Sequence, residues 1–436
     1  MTRVHFLLPL RVILLLMLLA GGQTGCQQAT KSTASQPVNS YDMPSLFERT
    51  GELAGAAEWP KTKEKVDELK KRIRKDPGQV KPRLQLAVIY LSEARITGEH
   101  PYYYPAILTI LNGVLAIDPK NFEATTFKSS VKMSQHQFAE ARTIAQNALK
   151  INPDNAYVYG VLVDANVELG NYEEAVAMSD KMQMMKPSLE SYSRASYLRE
   201  IYGDYPGSIA AMKLAVQAGL PGSEPQCWSK NTLGHLYETT GQLALAEQQY
   251  AGILAMRPSY AFALRGQAQV LKARKKYPEA LAMLEKAAKI MPEFSFHEEM
   301  AQIYALQGDS AKATRKYAEV VKMLGEDARS GHVVDLELCK LYTQTGQLDS
   351  ASVYGLKEYQ KRPKNIDVNH ALAWVYFNQK NLAKAHEHML LALRTGSKDP
   401  ELLRQAGAVE LAMGNAGQGN KLIAAARKTN PTFTLN

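Results

Sequence analysis

The nine histidines of this 436-residue chain are the first place to look for chemistry. A zinc hydrolase carries two histidines at i and i+4 of one helix, with a glutamate between them as base. His297-Glu298-Glu299 has the His-Glu pair and lacks the second histidine. His386 and His388 stand two residues apart, which turns them to different sides of a helix. GNAGQGN (414–420) is rich in glycine but follows a helical pattern, and a phosphate cradle needs a strand before it. No HExxH, GxSxG, GxGxxG or P-loop pattern occurs. Cys227 and Cys339 lack metal-site spacing, and small buried core thiols are the expected reading. These residues predict no catalytic group, no metal and no cofactor. Function must then come from the surface that the elements present.

Length bounds those elements. One core stops growing near about 250–300 residues, so 436 residues imply several domains or an extended repeat array. Apolar content of 45% and charge of 22% are those of a folded protein. The formal net charge is +9. Much of the excess lies in residues 61–76, with eight Lys/Arg against four Asp/Glu. Such a stretch reads as a solvated helix face laced by i,i+4 pairs. No aromatics are interleaved there as stacking platforms, so nucleic acid is not expected as a partner.

The N-terminus reads as a targeting signal. Arg3 and Arg11 precede a nine-residue apolar run, Val12 to Ala20, and small residues follow. At 1.5 Å per residue the run reaches roughly 14 Å, about half a bilayer core, so it suits a cleaved signal better than a span. GQTGC, ending at Cys26, resembles the lipobox of bacterial lipoproteins; Thr24 and Gly25 fit its small positions, and Gln23 stands where that family usually has Leu. The resemblance implies cleavage before Cys26 and lipid on its thiol. Gln27, in place of Asp, implies the outer membrane. Ordinary cleavage, giving a soluble periplasmic or secreted protein, is the alternative. Residues 27–45 are polar and rich in Ser, Thr and Gln, which suits a flexible tether. The expected division is a signal at 1–25, a tether at 26–58 and a folded array at 59–436.

Prolines reveal the period of that array. Pro119, Pro153, Pro187 and Pro221 are 34 residues apart, as are Pro258 and Pro292, and Pro363 and Pro431 are two periods apart. Each ends a helical stretch such as ALKINP (148–153) or AAKIMP (287–292), because proline cannot extend a helix. Within each period a Gly- or Asn-centred turn separates two helix patterns, as in LGNYEEA (169–175), TGQLALA (240–246) and QKNLAKA (379–385). The alanine closing each stretch lets two helices approach. Units are drawn near 81, 122, 156, 190, 227, 261, 294, 332, 366 and 400. The first carries an inserted GEHPYYY (98–104). PGSEPQC (221–227) and GEDARSGHVV (325–334) are expected as stretched loops, and residues 62–77 as a lone second helix opening the array.

Leu233, Gly234, Tyr237, Gly241, Ala246, Tyr250 and Pro258 match in series the pattern that this array resembles, the tetratricopeptide repeat (TPR). The resemblance implies an all-α, right-handed α-solenoid of about nine to ten helix-turn-helix repeats. It also implies a concave face lined by first helices, which takes a peptide or helix of a partner protein. Groove candidates are Tyr157, Asp164, Asn231, His235, Arg265, Gln269, Glu298, Gln302, His370, Trp374 and Phe377. Trp374 with Phe377 is the candidate anchor, with packing between repeats as the alternative role. The family's Lys/Asn carboxylate clamp is not found. The expected function is a non-enzymatic protein-interaction scaffold of the bacterial cell envelope, membrane-bound through its lipid. The alternative is a glycan- or small-ligand-binding outer-membrane lipoprotein with TPR-like helices.

Overall fold

The computed structural model describes residues 43–432, residue 57 excepted. The signal, the lipidation candidate Cys26 and the first part of the tether lie outside the described residues. Among the described residues there are 22 helices and no strand. After a short α1 (Gly51–Ala54) and an unpaired α2 (Trp59–Lys75) come ten hairpins. They are α3 (Val80–Thr97) with α4 (His100–Ile117), α5 (Phe122–Ser134) with α6 (Phe138–Ile151), and α7 (Ala156–Leu169) with α8 (Tyr172–Met185). Next are α9 (Leu189–Ile201) with α10 (Tyr205–Ala218), α11 (Glu224–Thr239) with α12 (Leu243–Leu254), and α13 (Ala261–Ala273) with α14 (Tyr277–Ile290). The last are α15 (Phe294–Leu306) with α16 (Ser310–Arg329), α17 (Asp335–Gln344) with α18 (Leu348–Lys361), α19 (Ile366–Asn378) with α20 (Leu382–Ala392), and α21 (Pro400–Ala412) with α22 (Ala416–Thr429).

Local chemistry sets these boundaries. Asn121, Asn155, Ser188, Ser223, Asn365 and Asp399 cap first helices by accepting from backbone N–H groups of the first turn. Asp118, Asn152, Lys186 and Arg362 leave helical conformation just before their prolines, where the ring forbids it. The turn inside each of the ten hairpins holds one left-handed residue. Glycine supplies it at 98, 170, 203, 241, 308, 346 and 414, and His136, Lys275 and Lys380 supply it elsewhere.

Packing within the stack follows residue size. Tyr250 is buried between α11 and α13. A Cβ added at Gly234 or Gly266 would come 2.6 or 2.4 Å from its ring. Ala246 beside it is fully buried. Most first helices also touch the next first helix (α5–α7, α7–α9, α9–α11, α11–α13, α17–α19, α19–α21), while successive second helices make no comparable contact. The row of first helices is therefore the tighter one, and the stack curves with that row inside.

Three stretches differ from their sequence-based expectation. GEHPYYY is not an inserted loop. His100 to Tyr104 open α4, and the extra residues lengthen both helices of that hairpin to 18. Gly325 to Arg329 extend α16 to 20 residues, and Glu224 to Cys227 begin α11. Proline at a helix start and residues with good helix propensity let these segments join helices instead of looping. The packed body also begins before residue 59: Met43 is buried, and the buried Arg49 pairs with Glu93 of α3 at 2.7 Å.

The superhelix closes on itself. Five successive hairpin turns of its first coil dock on loops that lie nearly 200 residues further along. Gly98 meets Met291 and Pro292, Gly170 meets Lys364 and Asn365, Gly203 meets Gly396 and Lys398, and Gly241 meets Asn430 and Pro431. Between the first two of these, the Val333 N–H donates to the Gln135 carbonyl at 3.0 Å, and Gln137 Nε2 donates to the Gly331 carbonyl at 2.7 Å. Arg362, Asn365 and the Ile366 N–H bond to Glu168 and to the Tyr172 hydroxyl. At the contact points a Cβ on Gly170 would stand 2.3 Å from the Lys364 carbonyl, and one on Gly203 would stand 2.7 Å from the Gly396 oxygen. Here glycine serves the turn and the close approach together.

Candidate binding surface inside the superhelix

Closure turns the concave face into a lumen. One cavity, about 680 Å³, is lined mainly from α7, α9 and α11, and includes Tyr157, Asp164, Glu190, Arg194, Tyr197, Glu200, Glu224 and Trp228. A second, of about 560 Å³, shares Arg95, Glu224 and Trp228 with it and continues to Phe262 and Glu293. A third, of about 510 Å³, shares Thr232 and gathers Asn231, His235, Arg265, Gln269, Asp399 and Glu401. The three form one continuous surface. Trp228 stands at the junction of the first two.

Helical register places these side chains. In the units beginning at 156 and 227, the second residue is Tyr157 or Trp228. The fifth residue of successive units is Gly160, Arg194, Asn231, Arg265, Glu298, and later His370 and Arg404. Neighbours on this inner row bond across the unit boundary. Arg194 pairs with Asp164 at 2.6 Å and donates to the Gly160 carbonyl at 3.1 Å. Arg265 pairs with Glu299 at 2.5 Å, Lys272 donates to Gln302 at 2.9 Å, and His370 Nε2 lies 2.9 Å from Gln405 Oε1.

The electrostatics are those of a walled tube. Burial pushes the Tyr197 hydroxyl well above its ordinary value, helped by Asp367, Glu168 and Glu200, although its ring is 41% exposed. The Glu200 carboxylate makes no hydrogen bond or ion pair among the described residues, and burial raises its pKa against the pull of His235. His235 itself is raised, first by Glu238, whose carboxylate lies 3.6 Å from its Nδ1. Burial lowers Lys272 and His370 and raises Asp399. A charge brought into this tube finds weak screening and unpaired carboxylates, so a cationic group gains there.

The structure distributes the sequence candidates over this surface. Tyr157 and Asp164 share the cavity of about 680 Å³, and Asn231, His235, Arg265 and Gln269 share another. Gln302 lies beside them through Lys272, and Glu298 feels the charges of Arg265 and Lys272. Trp374 and Phe377, both on α19, stack on each other at 4.8 Å, and Arg404 of the next repeat lies over the Trp374 ring at 5.6 Å. Sequence reasoning missed Trp228, Tyr197, Arg194 and Glu200. Trp228 occupies the register position of Tyr157, and Arg194 that of Asn231, so the period already pointed to them. Glu200 and Tyr197 had no such signal, because only the closed lumen places them together.

His388 is buried, with Nδ1 2.9 Å from Asn369 Oδ1, while His386 lies 3.1 Å from Glu410. His297 lies 2.7 Å from Glu319. Cys227 and Cys339 are buried and free. Among the described residues no group of three or more His, Cys, Asp or Glu could hold a metal ion, and no helix is long and apolar enough to cross a membrane.

Models of the tetratricopeptide repeat match residues 132–194 and 231–294. No curated protein matches the chain. Among solved structures it is similar to a chain of the APC/C hetero-tetramer Cut9–Hcn1, at 15% identity and TM-score 0.42, over 78% of this chain and 55% of that one. The chain thus spans about half the length of that relative. It is also similar to TTC0263, a thermophilic TPR protein of Thermus thermophilus, at 20% identity and TM-score 0.40, over 44% of this chain and 99% of that one. PilF of Pseudomonas aeruginosa matches at 18% identity and TM-score 0.34, over 49% of this chain and 94% of that one. Two recognised segments lie inside one uninterrupted run of helical hairpins, so the chain carries tetratricopeptide repeats and folds as an all-helical TPR-like solenoid.

Proposed function

We propose that the protein is a non-enzymatic scaffold that holds an extended segment of a partner protein in its lumen, tethered to a bacterial envelope membrane by lipid on Cys26. The observation that carries this reading is the continuous lumen surface. Tyr157, Tyr197 and Trp228 are each more than 40% exposed there, although the walls enclose them. Large rigid aromatics left uncovered on a concave surface are the anchors that partner side chains use. TPR proteins generally bind other proteins, and the repeats here leave no segment of the described residues for a separate catalytic unit. The tether rests on the lipobox-like GQTGC and the polar residues after it.

Affinity capture from detergent-solubilised membranes tests the reading. The full chain is expected to recover a protein in fixed stoichiometry, and a Tyr197→Ala/Trp228→Ala double variant is expected to lose it. Oligosaccharide bound with no protein partner would overturn it. Cys26→Ser is expected to move the protein out of the membrane fraction, and a variant that stays there removes the lipid from the account.

A further inference from the structure

The two ends of the superhelix carry the two halves of an interface that the molecule already makes with itself. Inside the molecule, hairpin turns of the first coil face loops between hairpins of the second. Every hairpin turn therefore points toward the C-terminal end of the superhelix, and every loop between hairpins points toward the N-terminal end. Among the described residues, the first coil's loops and the last coil's hairpin turns face no other coil.

Both free rims keep the character of a contact surface. In the second coil the docked loops bury Met291, Val334, Arg362, Thr395 and Asn430. At the corresponding loops of the first coil, apolar side chains stand open. Ile117 and Ile151 precede Asp118-Pro119 and Asn152-Pro153, Met184 and Met185 precede Lys186-Pro187, and Leu220 precedes Pro221. Met184 is 86% exposed and Leu220 is 75% exposed. Single exposed apolar residues are ordinary, but Ile117, Ile151 and Met185 stand at one position, two before the proline, in three consecutive units, and Met184 and Leu220 lie within one residue of that position in the third and fourth. On the opposite rim, Leu306 beside Gly308, and Leu411 and Met413 beside Gly414, are exposed. A Cβ at Gly308, Gly346 or Gly414 would meet nothing within 4 Å, whereas one at Gly98, Gly170, Gly203 or Gly241 would meet the docked loop. The open turns have the backbone shape of the docked ones without their cover.

We infer that the occupant of these rims is a second copy of this chain. The last coil's hairpin turns of one copy dock on the first coil's loops of the next, and the superhelix continues from chain to chain. The contact joins two different surfaces and leaves one of each free, so it is heterologous and propagates as an open helical assembly. It uses the rims and leaves the lumen continuous, so it is independent of the partner reading above.

Sedimentation velocity of the full chain in detergent tests this, against empty-micelle controls. The wild type is expected to show a mass that grows with concentration. Met184→Glu/Leu220→Glu on one rim, and Leu306→Glu/Leu411→Glu on the other, are each expected to weaken association at least about tenfold, as loss of apolar anchors does. Mixing the two variants is expected to give a one-to-one pair that grows no further, because each keeps one intact rim. Val353→Glu, at an exposed apolar residue within α18, is the control and should change nothing. A wild type that stays monomeric overturns the inference. So does a rim variant that still dimerises with itself, a Val353→Glu chain that loses association equally, or rims that bind protein-free lipid vesicles in place of another copy. Helical circular dichroism of each variant shows that the fold survives.

Discussion

At the scale of single residues, identical sequence roles separate into different physical ones. Gly170 and Gly346 both close a hairpin turn at positive φ, 77° and 76°. Alanine at Gly346 meets open space and has only the left-handed backbone to overcome, about 1–2 kcal/mol. Alanine at Gly170 has that cost and also a Cβ 2.3 Å from the Lys364 carbonyl, so the coils must part locally. Thermal and urea unfolding of the two variants should show Gly170→Ala clearly the less stable. Equal losses would mean that the contact between coils carries no free energy. Gly234 belongs to a third kind, since its helix is regular and the Tyr250 ring alone requires it.

At the scale of elements, the place where α4, α5 and α6 meet α16 and α17 concentrates titratable groups. His100, His136, His332, Asp327, Glu293 and Glu337 surround a cavity of about 340 Å³. Burial, helped by Glu293, Glu326 and Glu337, pushes Asp327 up to about 6, with His136 opposing. Burial, with His332 and Arg95, lowers His100 to about 4. Their signs differ. Asp327 holds its proton more tightly folded than unfolded, so its ionisation penalises the fold above pH 6 and the penalty fades as pH falls toward 4. His100 stays neutral in the fold, so stability is lost as pH falls from 6.5 toward 4. Between 6 and 4 the two offset each other. Asp327→Asn should stabilise the protein at pH 7.5, by about 1 kcal/mol after discounting for partial exposure. It should also steepen the loss of stability on acidification. A variant that unfolds with an unchanged pH profile would show that Asp327 is not desolvated there.

At the scale of the whole molecule, contacts between coils change what kind of solenoid this is. In an open stack each repeat feels only its neighbours, and stability is a sum along one dimension. Here Arg362 reaches from α18 across to Glu168 of α7, pairs with Glu358 at 2.5 Å and covers the Phe138 ring at 4.8 Å. Glu358 is 2% exposed, so losing Arg362 leaves a buried carboxylate with Lys361 alone, 3.2 Å away on its other oxygen, at a cost of about 3 kcal/mol. Arg362→Met should lower stability by that order. In hydrogen exchange it should lower protection in α7–α8 and α18–α19 together, although nearly 200 residues separate them. A loss confined to α18–α19 would return the molecule to the nearest-neighbour picture.

The sequence by itself determined the elements and their repetition. Proline spacing, turn glycines and small residues at fixed offsets act within one hairpin or between neighbours, and every first helix begins within about three residues of its expected start. It also placed Asn231, His235 and Arg265 on the inner row, since helical register is a local property. The tertiary structure alone decided how far the stack curves. Each unit adds a small rotation set by side-chain volumes, and only the sum over a whole coil shows whether the coils meet. That sum brought Glu168 to Arg362, enclosed Glu200 and Tyr197 in a lumen and left Met184 and Leu220 uncovered at its end. No local pattern records it, because the residues that meet are separated by the length of a coil and share no period.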